Sequence, residues 1–415
     1  MKKIEAVVRV DAAERVWRAV REAGAIKFED EVLNWFCRKT KKDRCIMKLL
    51  LAEVFFFEML FAAAAFAADS TSAHPGISWS GFVDVYYSKN FDNPSNQMNQ
   101  LRNFDIYENQ FSLNLAQITL REKPQPVGFH IDLGYGTTND VVQGLLNTLT
   151  GHMSPMASTL DMVEQAYLSA IIPIGAGLNI DLGKFTTLLG YEVINTNGNW
   201  NYSRSLLFSW AVPYYHTGIR LLYPFTGNFT AALYLVNGWN NVVAINNSKT
   251  IGLGLNYSPS TATTISLNGL TGFEQPAGVP YGKTDVGELI VTQQIGGNLS
   301  LATDAVYGRE RVAGVLNIWK GIAAYAKYDL DSKSDIGLRG EIYYDPEGYT
   351  TGVTFPKATF KEITATYEYR PWSHLILMFE ARDDFANSKT FLSAGSPIPA
   401  RISQPTLLLG AIATF

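Results

Sequence analysis

The sequence predicts an all-β protein: a closed, 16-stranded antiparallel β-barrel that crosses a membrane, preceded by a helical leader segment. First, apolar and polar residues alternate with a period of two along most of the chain from Ile77 to Phe415. Second, the connections between the alternating segments are short and long in turn. Third, after residue 68 no apolar run approaches the roughly 20 residues that a membrane-spanning helix requires.

Composition excludes several other classes of protein. The chain has 415 residues, of which 17% are charged and 13% are aromatic, so it is neither disordered nor a coiled coil. Residues 68–415 keep 21 of the 34 Lys and Arg and 28 of the 38 Asp and Glu, a net charge of −7. This negative balance argues against a nucleic-acid partner.

The first 67 residues have the features of a leader. A basic cluster over residues 38–48 precedes an apolar run over 49–68, and the run ends in Ala65-Phe66-Ala67, a small-residue cleavage pattern. We therefore expect residues 1–46 to be a helical, non-native extension, residues 47–67 a signal peptide, and residues 68–415 the barrel. The alternative is a membrane anchor, which Glu53 and Glu58 disfavour because carboxylates are costly in hydrocarbon.

Sixteen segments of about ten residues carry the alternation, the length that a tilted strand needs to cross a bilayer. They begin near residues 77, 110, 127, 163, 178, 214, 228, 250, 263, 285, 298, 319, 334, 360, 374 and 406. The pattern fails in two places. Segment Gln110–Arg121 loses register near Leu115, and Lys184 falls on the apolar face. A β-bulge would explain either irregularity.

The connections carry separate information about the environment. The even-numbered ones are short and rich in Pro, Gly, Ser and Asp, as tight turns are, for example Lys123–Pro126 and Asp331–Lys333. The odd-numbered ones are longer, at about residues 89–106, 137–162, 190–213, 240–249, 275–284, 309–317, 346–358 and 386–405. Outer-membrane barrels have short periplasmic turns and long external loops, so this regular alternation favours a bacterial outer-membrane location.

Backbone chemistry explains why such a sheet must close. Lipid cannot hydrogen-bond exposed N–H and C=O groups, so a sheet that crosses a bilayer cannot leave an edge. The apolar face is then expected to contact lipid and the polar face to surround water. Sixteen strands enclose more space than their side chains fill, which leaves an aqueous channel.

Several segments resemble a known family. They are Trp79–Tyr87 (WSGFVDVYY), Phe111–Leu120 (FSLNLAQITL), Val127–Gly136 (VGFHIDLGYG), Glu164–Leu168 (EQAYL), Asp181–Glu192 (DLGKFTTLLGYE), Asn201–Phe208 (NYSRSLLF) and Pro213–Arg220 (PYYHTGIR). Together they are similar to the outer-membrane β-barrel porins of Gram-negative bacteria, from Ile77 to Phe415. The resemblance implies contact with outer-membrane lipid, recognition of Phe415 by the barrel-assembly machinery, and a homotrimer as in general porins.

The resemblance also implies site residues. The third external connection, Gly190–Pro213, corresponds to the loop that narrows the pore, and it assigns Glu192, Asn197 and Arg204 to a constriction; the alternative is a surface cap over the barrel. Alternation assigns the pore lining. These residues are Asp84, His130, Asp132, Asp181, Arg220, Asp304, Arg339, Glu341, Glu368, Arg370, Glu380 and Arg382. The inward face has more acids than bases, which favours a mild cation preference over an unselective lumen.

The sequence does not predict an enzyme. His130 and Asp132 could belong to a hydrolytic site, but nothing marks a serine partner. Neither metal-ligand spacing nor a phosphate-binding glycine motif is present, so no catalytic residue, metal or cofactor is expected. The predicted function is passive diffusion of small hydrophilic solutes or ions. The alternative is a non-conducting adhesin or receptor that acts through the loops at 89–106, 137–162 and 386–405.

Overall fold

The computed structural model describes residues 76–144, 159–276, 281–353 and 357–415. The predicted extension at 1–46 and the predicted signal peptide at 47–67 lie outside these residues, so both stay predictions. The strands are β1 Ser78–Asn90, β2 Phe111–Glu122, β3 Val127–Tyr135, β4 Val163–Ile172, β5 Leu178–Thr186, β6 Tyr215–Thr226, β7 Phe229–Val236, β8 Thr250–Ser260, β9 Thr263–Gly272, β10 Tyr281–Ile295, β11 Leu299–Val312, β12 Val315–Asp329, β13 Ser334–Tyr344, β14 Thr359–Trp372, β15 Leu375–Ala386, β16 Phe391–Ser393, β17 Ser396–Arg401 and β18 Ser403–Thr414.

Sixteen of these strands form one closed barrel. Each strand from β1 to β14 pairs antiparallel with the next, and β18 pairs with both β15 and β1 to complete the ring. The closing register places Phe82 opposite Thr414 and Tyr87 opposite Leu409. The predicted antiparallel 16-stranded barrel is confirmed, and the tenth and twelfth strands begin at Tyr281 and Val315, four residues before the predicted starts at 285 and 319.

The remaining elements lie in the external connections. Strands β16 and β17 form a hairpin between β15 and β18. One short α-helix, α1, spans Thr137–Val142, two short 3₁₀ turns span Thr159–Met162 and Thr196–Gly198, and a π-helical turn spans Leu207–Ala211. Among the described residues, none of the helices has the length and apolar character that crossing a membrane would require.

One predicted external loop is wrong. We expected a long connection at 309–317, but β11 and β12 continue to Val312 and from Val315, leaving only Ala313 and Gly314 between them. Both residues have positive φ angles, 48° and 86°. Such angles at both central positions produce the tight hairpin turn whose twist matches that of the strands. The charged residues Arg309, Glu310 and Arg311 belong to β11.

The two faces of the sheet differ as the alternation predicts. On β13 and β14, Leu338 and Ile363 point outward and are 49% and 62% exposed, whereas their neighbours Arg339 and Thr364 point inward and are buried. The same contrast holds around the barrel, where large apolar side chains are exposed and charged side chains are buried. Exposed apolar surface of this extent is costly in water and is the expected outer surface of a barrel in lipid.

The two irregularities in the pattern have different causes. Asp84 of β1 pairs with Leu115 and the next residue, Val85, pairs with Leu113, so Asn114 is an extra residue in β2. The predicted bulge near Leu115 is confirmed. At Lys184 a bulge is the wrong explanation, because the β4–β5 and β5–β6 registers are unbroken there.

The Lys184 side chain stays on the outer face, where residues at the ends of neighbouring segments cover it. Its ammonium group donates to Gln143 Oε1 and to the Val163 carbonyl oxygen, both at 2.8 Å, and lies 4.0 Å from the centre of the Tyr215 ring. The start of the second external connection therefore shields this charge from the surrounding apolar surface. Hydrogen bonds and a cation–π contact offset the cost of placing a lysine there.

Candidate functional site

Loop 3, residues 187–214 between β5 and β6, lies against the inner wall of the barrel. The Gly190 N–H donates to Glu288 on β10 at 2.7 Å, and the Tyr202 hydroxyl donates to Asp84 on β1 at 2.7 Å. These wall residues belong to strands that are distant along the chain from β5 and β6. Loop 3 therefore occupies the interior of the barrel, as the constriction interpretation requires.

Wall carboxylates hold loop 3 by accepting hydrogen bonds from its backbone. Glu380 on β15 accepts the N–H groups of Tyr202 and Ser203, the shorter at 2.7 Å. Glu341 on β13 accepts the N–H groups of Leu206 and Leu207 at 2.5 and 3.1 Å. Carboxylate-to-amide bonds are charge-assisted and strong, particularly where water is excluded.

Asp304 and Asp84 extend this set of wall carboxylates. Asp304 on β11 accepts the Tyr191 N–H at 3.3 Å. Asp84 accepts hydrogen bonds from three groups, the Tyr202 and Thr196 hydroxyls and the Asn114 amide, at 2.6 to 2.7 Å. Burial and the nearby Asp84 carboxylate raise the pKa of the Tyr202 hydroxyl, so it stays protonated and acts as the donor.

Glu192 forms an ion pair with the wall. Its Oε1 lies 2.7 Å from Arg339 Nη1, and its Oε2 accepts the Ser205 N–H at 2.6 Å. Arg339 is a member of β13 and also pairs with Glu362 on β14 at 2.8 Å. Glu192 is 4% exposed, so its carboxylate is committed to this pair and to the loop backbone.

Arg204 stabilises loop 3 from within. Its guanidinium donates to the carbonyl oxygens of Val193, Ile194 and Tyr202 and to the Thr196 hydroxyl. Burial lowers the pKa of this guanidinium, and the Glu192 and Asp84 carboxylates oppose that shift. Arg204 thus joins residues 193–196, which precede the tip of loop 3, to Tyr202, which follows it. Asn197, the third predicted constriction residue, is exposed in the 3₁₀ turn at that tip.

A series of side-chain ion pairs connects loop 1, residues 91–110 between β1 and β2, to loop 3. The series runs through wall residues of the barrel. We call these seven residues the ion-pair chain. Successive members are separated by 2.5 to 3.6 Å, and all are buried: Asp105, Arg102, Asp384, Arg382, Glu362, Arg339 and Glu192. Burial raises the pKa of the Asp105 carboxyl group, against the opposing effect of Arg102. The chain alternates in sign, so each buried charge has an opposite neighbour.

Apolar side chains of the same two loops pack together in the external half of the barrel. Phe104 of loop 1 contacts Phe208 and Tyr214 of loop 3, with ring centroids 5.7 Å apart in both pairs. Leu101 and Leu206 join the same buried cluster. These contacts join residues more than 100 positions apart and have no signal in strand periodicity, so the sequence interpretation missed Arg102, Phe104 and Asp105.

On the opposite wall, the predicted lining residues interact with one another. His130 Nε2 lies 2.9 Å from Asp132, and the His130 ring stacks on Tyr167 at 5.2 Å. Asp181 pairs with Arg220 at 2.7 Å. The side chains of His130 and Arg220 are each 16% exposed, so part of this wall is accessible to solvent.

Glu368 and Arg370 lie near the periplasmic end of β14 and contact each other. Arg370 also approaches Asp335 of β13 at 3.4 Å, and its side chain is 44% exposed. The predicted lining residues therefore form two sets. One set, on β1, β11, β13 and β15, contacts loop 3; the other lies on β3, β5 and β6 and near the periplasmic end of β14.

The chain matches the model of one protein family over residues 76–415, and that family is described as "Putative beta-barrel porin-2, OmpL-like". No curated protein has a significantly similar sequence. Similar solved structures include an anion-selective porin from Comamonas acidovorans, at 12% identity and a TM-score of 0.56, covering 82% of this chain and 99% of that one.

Two further structures show the same architecture. The trimer form of OmpT, an outer membrane protein of Vibrio cholerae, is 10% identical with a TM-score of 0.53, covering 82% of this chain and 99% of that one. The outer membrane channel DcaP of Acinetobacter baumannii is also 10% identical with a TM-score of 0.53, covering 82% and 97%. At such identities the likeness shows the fold alone. The family match, with the barrel geometry, establishes that this chain belongs to the OmpL-like β-barrel porin family of the bacterial outer membrane.

Proposed function

We propose that the protein forms a water-filled channel through which small hydrophilic solutes or ions diffuse passively across the outer membrane. The observation that carries this proposal is the placement of loop 3 along one side of a closed 16-stranded barrel, held by wall carboxylates of β1 and β10–β15. A barrel of this size has room for water beside such a loop. The predicted constriction at Glu192, Asn197 and Arg204 belongs to the same proposal.

The partly exposed wall supports a route past the loop. His130 and Arg220 face the lumen on strands that do not pair with the wall under loop 3, and Arg121 on β2 lies beside them and is exposed. Arg121 follows the inward alternation but was absent from the predicted lining. Polar side chains in contact with open space are what a hydrated passage requires.

We propose a channel rather than an enzyme. Asp132, which a hydrolytic interpretation would pair with His130, also accepts hydrogen bonds from Thr119 and Gln165 at 2.6 and 2.5 Å. Its acceptor positions are thus used by neighbouring wall residues. Within the part of the chain that the structure describes, no group of three or more His, Cys, Asp or Glu is placed to hold a metal ion.

Single-channel recording in planar bilayers tests the proposal. We expect stepwise openings on the nanosiemens scale when the folded protein is added, and the same recordings with potassium and chloride at unequal concentrations measure the ion preference. Because Glu341, Glu380 and Asp304 are buried and bonded to loop 3, we expect the cation preference to be small. Repeated insertions without openings would defeat the channel proposal.

The second candidate, a non-conducting barrel that acts through its external loops, has one observation in its favour. Loops 1 and 3 share a continuous buried apolar cluster in the external half of the barrel, which could close it. The recordings above distinguish the two, since this candidate predicts membrane insertion without conductance.

We further propose that Phe415 guides assembly and that the barrel forms a homotrimer. The Phe415 backbone pairs with Gly81 at 3.0 and 3.1 Å, and its ring lies 5.7 Å from that of Trp79 on the outer face.

The trimer form of Vibrio cholerae OmpT supports the proposed homotrimer. Chemical cross-linking in intact outer membranes should give a trimer band, and a monomer band alone would contradict it.

Deletion of Phe415 should lower the amount of folded barrel in the outer membrane severalfold, whereas Phe415→Trp should restore it. The reason is that an aromatic end group, rather than the length of β18, is proposed to be recognised. The measurement is the folded, heat-modifiable band in outer-membrane fractions. Refolding of the purified deletion variant in detergent provides the control, because an equal loss of folding there would indicate a purely structural role.

A further inference from the structure

Loop 3 and β12 enclose a small pocket of about 80 Å³. It is lined by Tyr191, Glu192, Gly198, Asn199, Trp200 and Tyr325. Since one water needs roughly 10–15 Å³ by the same measure, the pocket has room for a head group of about five heavy atoms. Gly198 is exposed and Trp200 is partly exposed, so the pocket opens at the tip of the loop.

Three aromatic rings surround this space at different orientations. The Tyr191 and Trp200 rings are 5.6 Å apart and nearly perpendicular, at 78°, and the Trp200 and Tyr325 rings are 6.5 Å apart at 82°. Tyr191 and Tyr325 are 4.6 Å apart. Aromatic ring faces carry negative electrostatic potential and attract cations, so a pocket lined by three aromatic residues favours a cationic ligand.

One carboxylate lines the pocket. It belongs to Glu192, and its guanidinium partner is Arg339, at 2.7 Å. Arg339 is already paired with Glu192 and Glu362. An anionic ligand would therefore be repelled from this space, whereas a cation would be stabilised in it.

One buried polar atom of the lining has no partner. Within the described residues, the Tyr325 hydroxyl is shielded from solvent and makes no hydrogen bond, and the Tyr325 residue is only 4% exposed. Buried polar atoms in folded proteins nearly always have a partner. A ligand that brings N–H donors would supply one, and a ligand without donors would not.

We propose that this aromatic pocket binds the head group of a small protonated amine, an alkylammonium ion. This inference rests on the proposed channel, since it identifies a class of solute that pauses at the tip of loop 3 during passage. The rings supply the cation–π contacts, the Glu192 carboxylate the charge complementarity, and the unpartnered Tyr325 hydroxyl a hydrogen bond.

Isothermal titration of the full chain, folded in detergent micelles, tests the proposal with n-propylammonium as the probe. n-Propanol, which has the same number of heavy atoms without the charge, and glucose are the comparison ligands. We expect saturable binding of n-propylammonium and much weaker binding of both others. Trp200→Leu should weaken binding on the order of tenfold, because one cation–π face is lost.

Two further variants keep the test interpretable. Trp200→Phe retains a ring and should bind within a few-fold of the native protein, while Trp372→Leu, on the outer face of β14, should leave binding unchanged. The proposal fails if n-propylammonium does not bind saturably, if n-propanol or glucose binds as tightly, or if both Trp200 variants match the native protein. Binding of n-propylammonium without channel openings would contradict the channel proposal but not the amine site. Channel openings without such binding would contradict the amine site but not the channel.

Discussion

Replacing Arg339 with leucine should destabilise the barrel and release loop 3. The Arg339 side chain is fully buried and holds Glu192 at 2.7 Å and Glu362 at 2.8 Å. It also donates to the Ser203 carbonyl oxygen of loop 3. Removing one partner from a buried ion pair strands the opposite charge and costs about 3–5 kcal/mol. Glu192 loses its ion pair, whereas Glu362 keeps its contact with Arg382 at 3.6 Å, so we expect a loss within that range.

Urea unfolding of the refolded protein, followed by tryptophan emission, measures this loss, and single-channel recording should show larger and noisier openings. Arg309→Leu is the matched control, since its pair with Asp285 on neighbouring strands is exposed, with side-chain exposures of 54% and 37%. Exposed pairs contribute about 0–1 kcal/mol. Equal losses in the two variants would show that the ion-pair chain does not hold loop 3.

Replacing Leu338 with arginine should produce the second large effect. Leu338 lies in the middle of β13, points outward between Ala326 and Ala365 of the adjacent strands, and is 49% exposed. If this surface contacts hydrocarbon, an arginine there costs about 2–4 kcal/mol. In water the same substitution at an exposed position would cost little.

The cost should be measured by reversible folding into phospholipid vesicles. Ile398→Arg is the control, because Ile398 is 69% exposed in β17, outside the barrel sheet. We expect Ile398→Arg to change the free energy of unfolding by less than about 0.5 kcal/mol. A similarly small change for Leu338→Arg would argue that the outer face of β13 does not contact lipid.

The fold could be predicted from the sequence because the environment imposes a strict pattern. A strand between lipid and lumen must alternate at every residue, so all sixteen strands were visible and their starts agree with the structure to within four residues. The mistake at 309–317 arose where strand β11 extends with charged residues on both faces, Arg309, Glu310 and Arg311. Periodicity cannot distinguish such an extension from a loop.

The site could be predicted only in part. Alternation identified Arg339, Glu341 and Glu380 as inward-facing, but it could not show that their partners are the backbone of loop 3 and, for Arg339, the Glu192 carboxylate. Those contacts join residues more than 130 positions apart. Several acids of the inner face, on which the predicted cation preference rests, also accept hydrogen bonds from loop N–H groups.

The central claim is that lipid surrounds the barrel and water enters it, and spin labelling tests it most directly. Residues 68–415 contain no cysteine, so single cysteines at positions 130 to 133 of β3 can be labelled without background. In vesicles, labels replacing Ile131 and Leu133 should be accessible to oxygen, and labels replacing His130 and Asp132 to a water-soluble nickel chelate. Accessibilities that reverse this order, or that do not alternate, would contradict the account.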